Sequence, residues 1–171
     1  MVEIRRAIPN DAEKILDCLK IIGGETDNLT FGSEGVPMTV ERERTYLESI
    51  LSSEKQIYLV ACNGGETIGT ASLSCSARPR LSHRGEISIT VKRSMWGKHI
   101  GSQLMEKIID FAKNTAKIEI ISLEVRNDNS RAIALYKKFG FEKIGTFPAL
   151  MKINGENIDC DIMVLDLKKS S

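Results

Sequence analysis

Apolar residues recur along this chain with two periods, and the switches between them mark its elements. Val2 to Ile8 fits a short strand. Asn10 or Asp11 then caps a helix that puts Ala12, Ile15, Leu16, Leu19 and Ile22 on one face. The polar, glycine-rich stretch GGETDNLTFGSEGVP reads as a loop. Thr39 caps a second helix, whose apolar face carries Val40, Leu47, Ile50 and Leu51 beside the charged Glu41, Arg42 and Glu43. In QIYLVACNGGETIGTASLSC, two strand-like runs flank Asn63-Gly64-Gly65, a hairpin signal. GEISITV alternates, with Ile87, Ile89 and Val91 on one face and Glu86, Ser88 and Thr90 on the other.

Helical spacing returns at Ile100, Leu104, Ile108, Phe111 and Ala112. IEIISLEV is again a strand. NSRAIALYKKFG is a short helix, capped by Asn129 and stopped at Gly140. FEKIGTF and NIDCDIMVLDL close the chain as strands, turned at Asn154-Gly155. The order β-α-α-β-β-β-α-β-α-β-β predicts a mixed α/β (α+β) domain. A hairpin meander leads into one βαβ crossover from Glu86 to Val125, parallel and right-handed.

Composition narrows the class. The 171 residues suit one domain, and no repeat or linker divides them, so residues 1–171 are expected to form a single unit. The formal net charge is +1, which gives no field for nucleic acid or an anionic membrane. No apolar run suits a signal peptide or a membrane span, so a cytoplasmic location is expected. Cys18, Cys62, Cys75 and Cys160 form no CxxC pair, so they read as reduced and no metal site is expected.

The candidate chemistry begins at Trp96-Gly97-Lys98-His99-Ile100-Gly101-Ser102. A helix starting near Ile100 offers unpaired N–H groups and the positive end of its dipole. Gly97 and Gly101 allow close backbone approach, and Lys98 adds a cation. Such a turn suits a diphosphate, or is simply a strand-to-helix turn. It is neither a P-loop nor a dinucleotide fingerprint.

Downstream, ISLEVRNDNSRAIALYKKFGFEKIG resembles the second half of the acyl-CoA-binding core of the GNAT family of N-acetyltransferases. Its LEV segment is similar to that of the ribosomal-protein alanine acetyltransferases. The strand ending at Val91, followed by the turn to Gly101, resembles the first half, [Arg/Gln]-x-x-Gly-x-[Gly/Ala]. The resemblance covers residues 57 to 145 well. It departs at Trp96, where Arg or Gln is usual, and at His99, where the first Gly is usual. The resemblance implies the GNAT fold, with a mostly antiparallel sheet of about six to seven strands flanked by helices.

It also implies acetyl transfer from acetyl-CoA to a primary amine in a ternary complex, with no metal. The acceptor would be a small molecule or a protein N-terminus. The backbone of Ile89, Thr90 and Val91 would pair with the pantetheine arm. The loop Trp96, Gly97, Lys98, His99, Ile100, Gly101 and Ser102 would hold the pyrophosphate, with Trp96 packing beside it. Asn129 would reach the pantetheine while capping its helix, and Tyr136 would protonate the departing thiolate. Glu86 and Glu124 compete as the base. Glu86 is preferred because it precedes Ser88 on the strand of the proposed thioester contacts. Glu25, Asp27 and Glu34 in the first long loop would attract a cationic acceptor, or are simply solvated. The rival from another class is a non-catalytic acetyl-CoA sensor or partner module. The alternating IDCDIMVLDL strand permits a homodimer.

Overall fold

A computed structural model describes residues 1–169. The expectation of one unit over 1–171 therefore includes two residues, Ser170 and Ser171, that lie outside the described residues. The strands are β1 (Val2–Arg6), β2 (Ile57–Asn63), β3 (Glu66–Cys75), β4 (Arg84–Val91), β5 (Ile120–Arg126), β6 (Glu142–Ile153) and β7 (Glu156–Asp166). The helices are α1 (Ala12–Glu25), α2 (Val40–Leu51), α3 (Ile100–Asp110) and α4 (Ser130–Lys138). The strands form one sheet in the order β1-β2-β3-β4-β5-β7-β6. Only β4 and β5 run parallel. The strand pattern implied a mixed domain with one parallel crossover, here through α3, and the family resemblance implied the mostly antiparallel sheet.

Strand alternation divides the core in two. Leu59, Ala61, Leu73, Ile121 and Leu123 turn to one face and pack with Ile100, Leu104, Met105 and Ile108 of α3. Val60 and the half-buried Tyr58 turn to the other, against Ile15 and Leu19 of α1 and Leu47 and Ile50 of α2. Gly64 and Gly65 both take positive φ (58° and 84°) and close the β2–β3 hairpin. Asn154 and Gly155 do the same between β6 and β7 (51° and 81°).

Besides β1, which ends at Arg6 rather than Ile8, and Asp11, which heads α1 without a side-chain cap bond, three elements differ from the sequence reading. Helix α1 runs on through Gly23, Gly24 and Glu25, which the pattern assigned to the loop. The returning loop lies directly on Gly23, where a Cβ would stand 2.0 Å from the Gly32 carbonyl oxygen. Glycine there serves helix–loop packing rather than a turn. On α2, Glu43 is buried and Leu51 is exposed. The buried stripe is Glu43, Leu47 and Ile50, at i, i+4 and i+7, so the carboxyl goes inward and burial pushes its pKa up. Strand β6 extends to Ile153, past Pro148, because register shifts between Phe147 and Met151 absorb the residues that cannot join the ladder.

All four cysteines are free thiols, and burial pushes Cys18 up to about 11. No helix among the described residues is long and apolar enough to cross a membrane. No group of three or more His, Cys, Asp or Glu among them could hold a metal ion.

The junction of β1 and α1 is tied by a forked ion pair. Arg5 Nη1 and Nη2 donate to the two Asp11 carboxylate oxygens at 2.7 and 2.9 Å, and the Ile8 N–H donates to Asp11 Oδ2 at 2.8 Å. The Arg5 guanidinium holds the Asp11 carboxyl below its usual range despite burial. A depressed carboxyl stabilises the fold above its unfolded value, near pH 4, and the contribution fades as pH falls through the folded value. Asp11→Asn should therefore cost about 1–2 kcal/mol at neutral pH, Arg5 being partly solvent-screened. That deficit should shrink toward pH 2–3 in urea titrations of both proteins.

Candidate active site

The site is built by two strands that part. β4 and β5 pair only at Arg84–Ile120, Gly85–Ile121 and Glu86–Ser122. β4 continues along β3 as far as Val91, and β5 continues along β7 as far as Arg126. Both strands persist while their mutual ladder stops. The edge of β4 beyond Glu86 that faces β5 therefore carries backbone donors and acceptors that no strand pairs, of which the Val91 carbonyl is taken by the Trp96 indole. A cavity of about 280 Å³ opens there, lined by Ile89, Thr90 and Val91 at the end of β4.

The chain leaves β4 through a single 3-10 turn, Arg93–Met95, and Trp96 is extended. Trp96 Nε1 donates to the Val91 carbonyl at 2.9 Å, which fixes the indole against the strand it has just left. Gly97 takes φ 75° and His99 takes φ 60°, ψ 16°. The left-handed residue that the motif usually supplies as glycine is thus histidine here. His99 caps no N–H with its side chain, which is exposed. Ile100 then begins α3, with its first N–H groups unpaired toward the cavity. Gly97, His99, Ile100, Gly101 and Ser102 all line it. A Cβ on Gly101 would meet Leu135 Cδ2 at 3.4 Å, so a small residue sets how closely α3 approaches α4. Lys98 is the exception: its ammonium lies 3.6 Å from Met95 Sδ and it does not line the cavity.

Helix α4 forms the facing wall. Asn129 Oδ1 accepts from the Ala132 N–H at 3.2 Å, which makes it the N-cap, while its Nδ2 has no partner among the described residues. Asn129 and Tyr136 are seven residues apart and both line the cavity, as two helical turns require. Tyr136 packs its ring 5.8 Å from that of Phe141. Its hydroxyl makes no hydrogen bond among the described residues, and burial pushes the phenol up to about 12.

The two glutamates stand elsewhere. Glu86 and Glu124 are exposed on β4 and β5 and do not line this cavity. Glu86 pairs in register with Ser122, and Glu124 lies two residues further along β5, about 6.6 Å on. Both project from the sheet face opposite α3, beside the point where the strands part. Glu86 also rims a separate shallow depression with Ser74, Arg84 and Ser122.

Of the acids in the first loop, Glu25 Oε2 accepts from the Arg93 N–H at 2.8 Å, and the Glu25 carbonyl accepts from the Arg93 guanidinium. Glu34 accepts from the Gly32 N–H, which holds its carboxyl below the usual range. These two carboxylates secure the loop, and only Asp27 keeps a carboxylate without a hydrogen bond among the described residues. Sequence reasoning missed that the same loop reaches the cavity, through Thr26, Asn28 and Leu29, with Ile22 of α1. No periodic signal marks a loop for that role. It also missed Arg131, whose place two residues after Asn129 was the available clue.

Residues 27–141 match the model of the acetyltransferase (GNAT) family, and the chain belongs to that family. L-amino acid N-acetyltransferase AaaT of Escherichia coli is 36% identical over 105 residues, which is 61% of this chain and 65% of that protein. N-alpha-acetyltransferase RimI of Mycobacterium tuberculosis is 31% identical over 105 residues, 61% of this chain and 64% of that one. The chain thus spans just under two-thirds of the length of either relative. The crystal structure of a GNAT-family acetyltransferase from Streptococcus pneumoniae superposes with a TM-score of 0.94 at 29% identity, covering 98% of this chain and 100% of that one. The yncA protein of Salmonella typhimurium, solved with its cofactor acetyl-CoA, shares the fold at a TM-score of 0.83 and 21% identity, covering 97% and 94%.

A non-glycine residue in the left-handed region costs about 1–2 kcal/mol, and glycine costs about 0.5–1 kcal/mol in chain entropy. His99→Gly should therefore raise stability by no more than about 1.5 kcal/mol, and the β-branched His99→Val should lower it. Chemical denaturation of the two variants checks both.

Proposed function

We propose that residues 1–171 act as one acetyltransferase domain that moves the acetyl group of acetyl-CoA directly to a primary amine. The observation that carries this reading is one cavity joining three parts. They are the unpaired edge of β4, the amide-lined loop before α3, and Tyr136. An extended pantetheine arm would complete the β4 edge as a short extra strand. The amides from Gly97 to Ser102 would hold the diphosphate at the start of α3. The unused Asn129 Nδ2 would donate to the arm.

The amine must lose a proton to attack. Glu86 or Glu124 accepts it, directly or through one water, from the sheet face where the strands part. The nitrogen lone pair forms the C–N bond at the thioester carbonyl, collapse of the tetrahedral intermediate breaks the C–S bond, and the second proton, shed as the nitrogen becomes an amide, passes through solvent to the departing thiolate. Tyr136 serves the leaving sulfur. Its phenol near 12 stays protonated at neutral pH, but lies some three units above an ordinary thiol at about 8.5. Complete proton transfer to sulfur is therefore uphill. The phenol instead stabilises the thiolate by donating a hydrogen bond while the C–S bond breaks.

The acceptor is the amine of a small molecule or a protein N-terminus. AaaT is named for the first class and RimI for the second. A mass-detected screen of both classes with acetyl-CoA tests the assignment, and absence of product with every amine despite cofactor binding would overturn it. Tyr136→Phe should lower kcat by about 10- to 1000-fold with acetyl-CoA affinity nearly unchanged. Unchanged turnover would remove Tyr136 from the mechanism. Glu86→Gln and Glu124→Gln, assayed across pH, separate the bases. The true base variant recovers activity at high pH, where the amine deprotonates unaided.

A further inference from the structure

We infer that Arg131, held over the Trp96 ring, binds the diphosphate of the cofactor, and that Trp96 is the residue that positions it. The guanidinium carbon of Arg131 lies 4.1 Å from the centroid of the indole. The indole is itself tied by its bond to the Val91 carbonyl, so the face beneath the guanidinium is anchored to the end of β4. Arg93 also lies near the ring, at 5.4 Å, but its guanidinium is committed to the Glu25 carbonyl. Arg131 has no hydrogen bond or ion pair among the described residues, so all five of its donors are available.

Its place in the chain is a further clue. Arg131 sits in the first turn of α4, where the helix dipole disfavours a cation and no acidic residue offsets it. Nothing in the local structure asks for a positive charge there. The cavity does: Arg131 and Trp96 line it together with Gly97, Gly101 and Ser102. Lys98, the loop's own cation, faces Met95 instead. The charge that complements the amide cradle therefore comes from α4, across the cavity, and a planar guanidinium suits two adjacent phosphate oxygens. Trp96, where the family motif usually carries Arg or Gln, holds that charge in place rather than supplying it.

The inference rests on the acetyl-CoA reading, and calorimetry with CoA, dephospho-CoA and pantetheine separates the two. If the wild-type protein binds none of them, the acetyl-CoA reading falls. If it binds CoA, Arg131→Ala should weaken CoA and dephospho-CoA alike by about 10- to 100-fold and leave pantetheine unchanged. Loss confined to CoA would assign Arg131 to the 3′-phosphate and overturn the proposal, as would no loss at all. Arg131→Lys, which keeps the charge without the planar stack, should fall between and guards against misfolding of the alanine variant. Trp96→Ala should weaken CoA strongly when Arg131 is present and hardly at all in the Arg131→Ala background. Additive losses would show that Trp96 does not act through Arg131.

Discussion

Everything at the candidate site depends on the ladder between β4 and β5 ending after three residue pairs. A parallel pair inside a sheet ordinarily satisfies its backbone groups along its length. Here each strand is held by its other neighbour, β4 by β3 and β5 by β7, so the two can separate without unravelling. The gap leaves polar backbone edge in the middle of a protein. That edge is costly unless water or a ligand completes it, and an extended chain with amide groups completes it well. Helix α3 starts at one rim of the gap and α4 forms its wall. The glutamates stand beside the point where the strands part.

The neighbouring loop shows how a motif tolerates departures. Backbone geometry, not side-chain identity, makes the cradle. His99 reproduces the left-handed turn at a modest cost, and its exposed imidazole caps no N–H of α3. Trp96 gives up a polar side chain, but its indole N–H closes the end of β4 and its face supports Arg131. Two substitutions that look damaging in one dimension are accommodated in three.

Much of the fold was legible because its signals are local. Alternation found β4, and the Thr39 and Asn129 caps stand as read. The two Gly-containing turns announced their hairpins. Legibility failed where distant chain segments decide. Gly23 and Gly24 look like loop residues, yet they continue α1, and Gly32 occupies the space above Gly23 that a side chain would fill. Glu43 looks like a solvated charge, yet its helical phase with Leu47 and Ile50 takes it inside. At the site, the loop motif and Asn129 and Tyr136 of α4 were picked out by the family resemblance, and the structure brings them to one cavity, Lys98 excepted. The contribution of Thr26, Asn28 and Leu29 was not, because it arises when a loop without periodicity folds back over the cavity.

That fold-back constrains how the protein could diversify. The first part of the loop after α1 touches the cavity, and its neighbour Glu25 is bonded to Arg93 at the head of the cradle. Substitutions between residues 25 and 29 would disturb both halves of the site at once. The exposed positions Ser33, Pro37 and Met38 neither line the cavity nor bond to Arg93. Variation of this loop that spares the cavity has its freest path there, within a few residues of a segment whose changes reach the site directly.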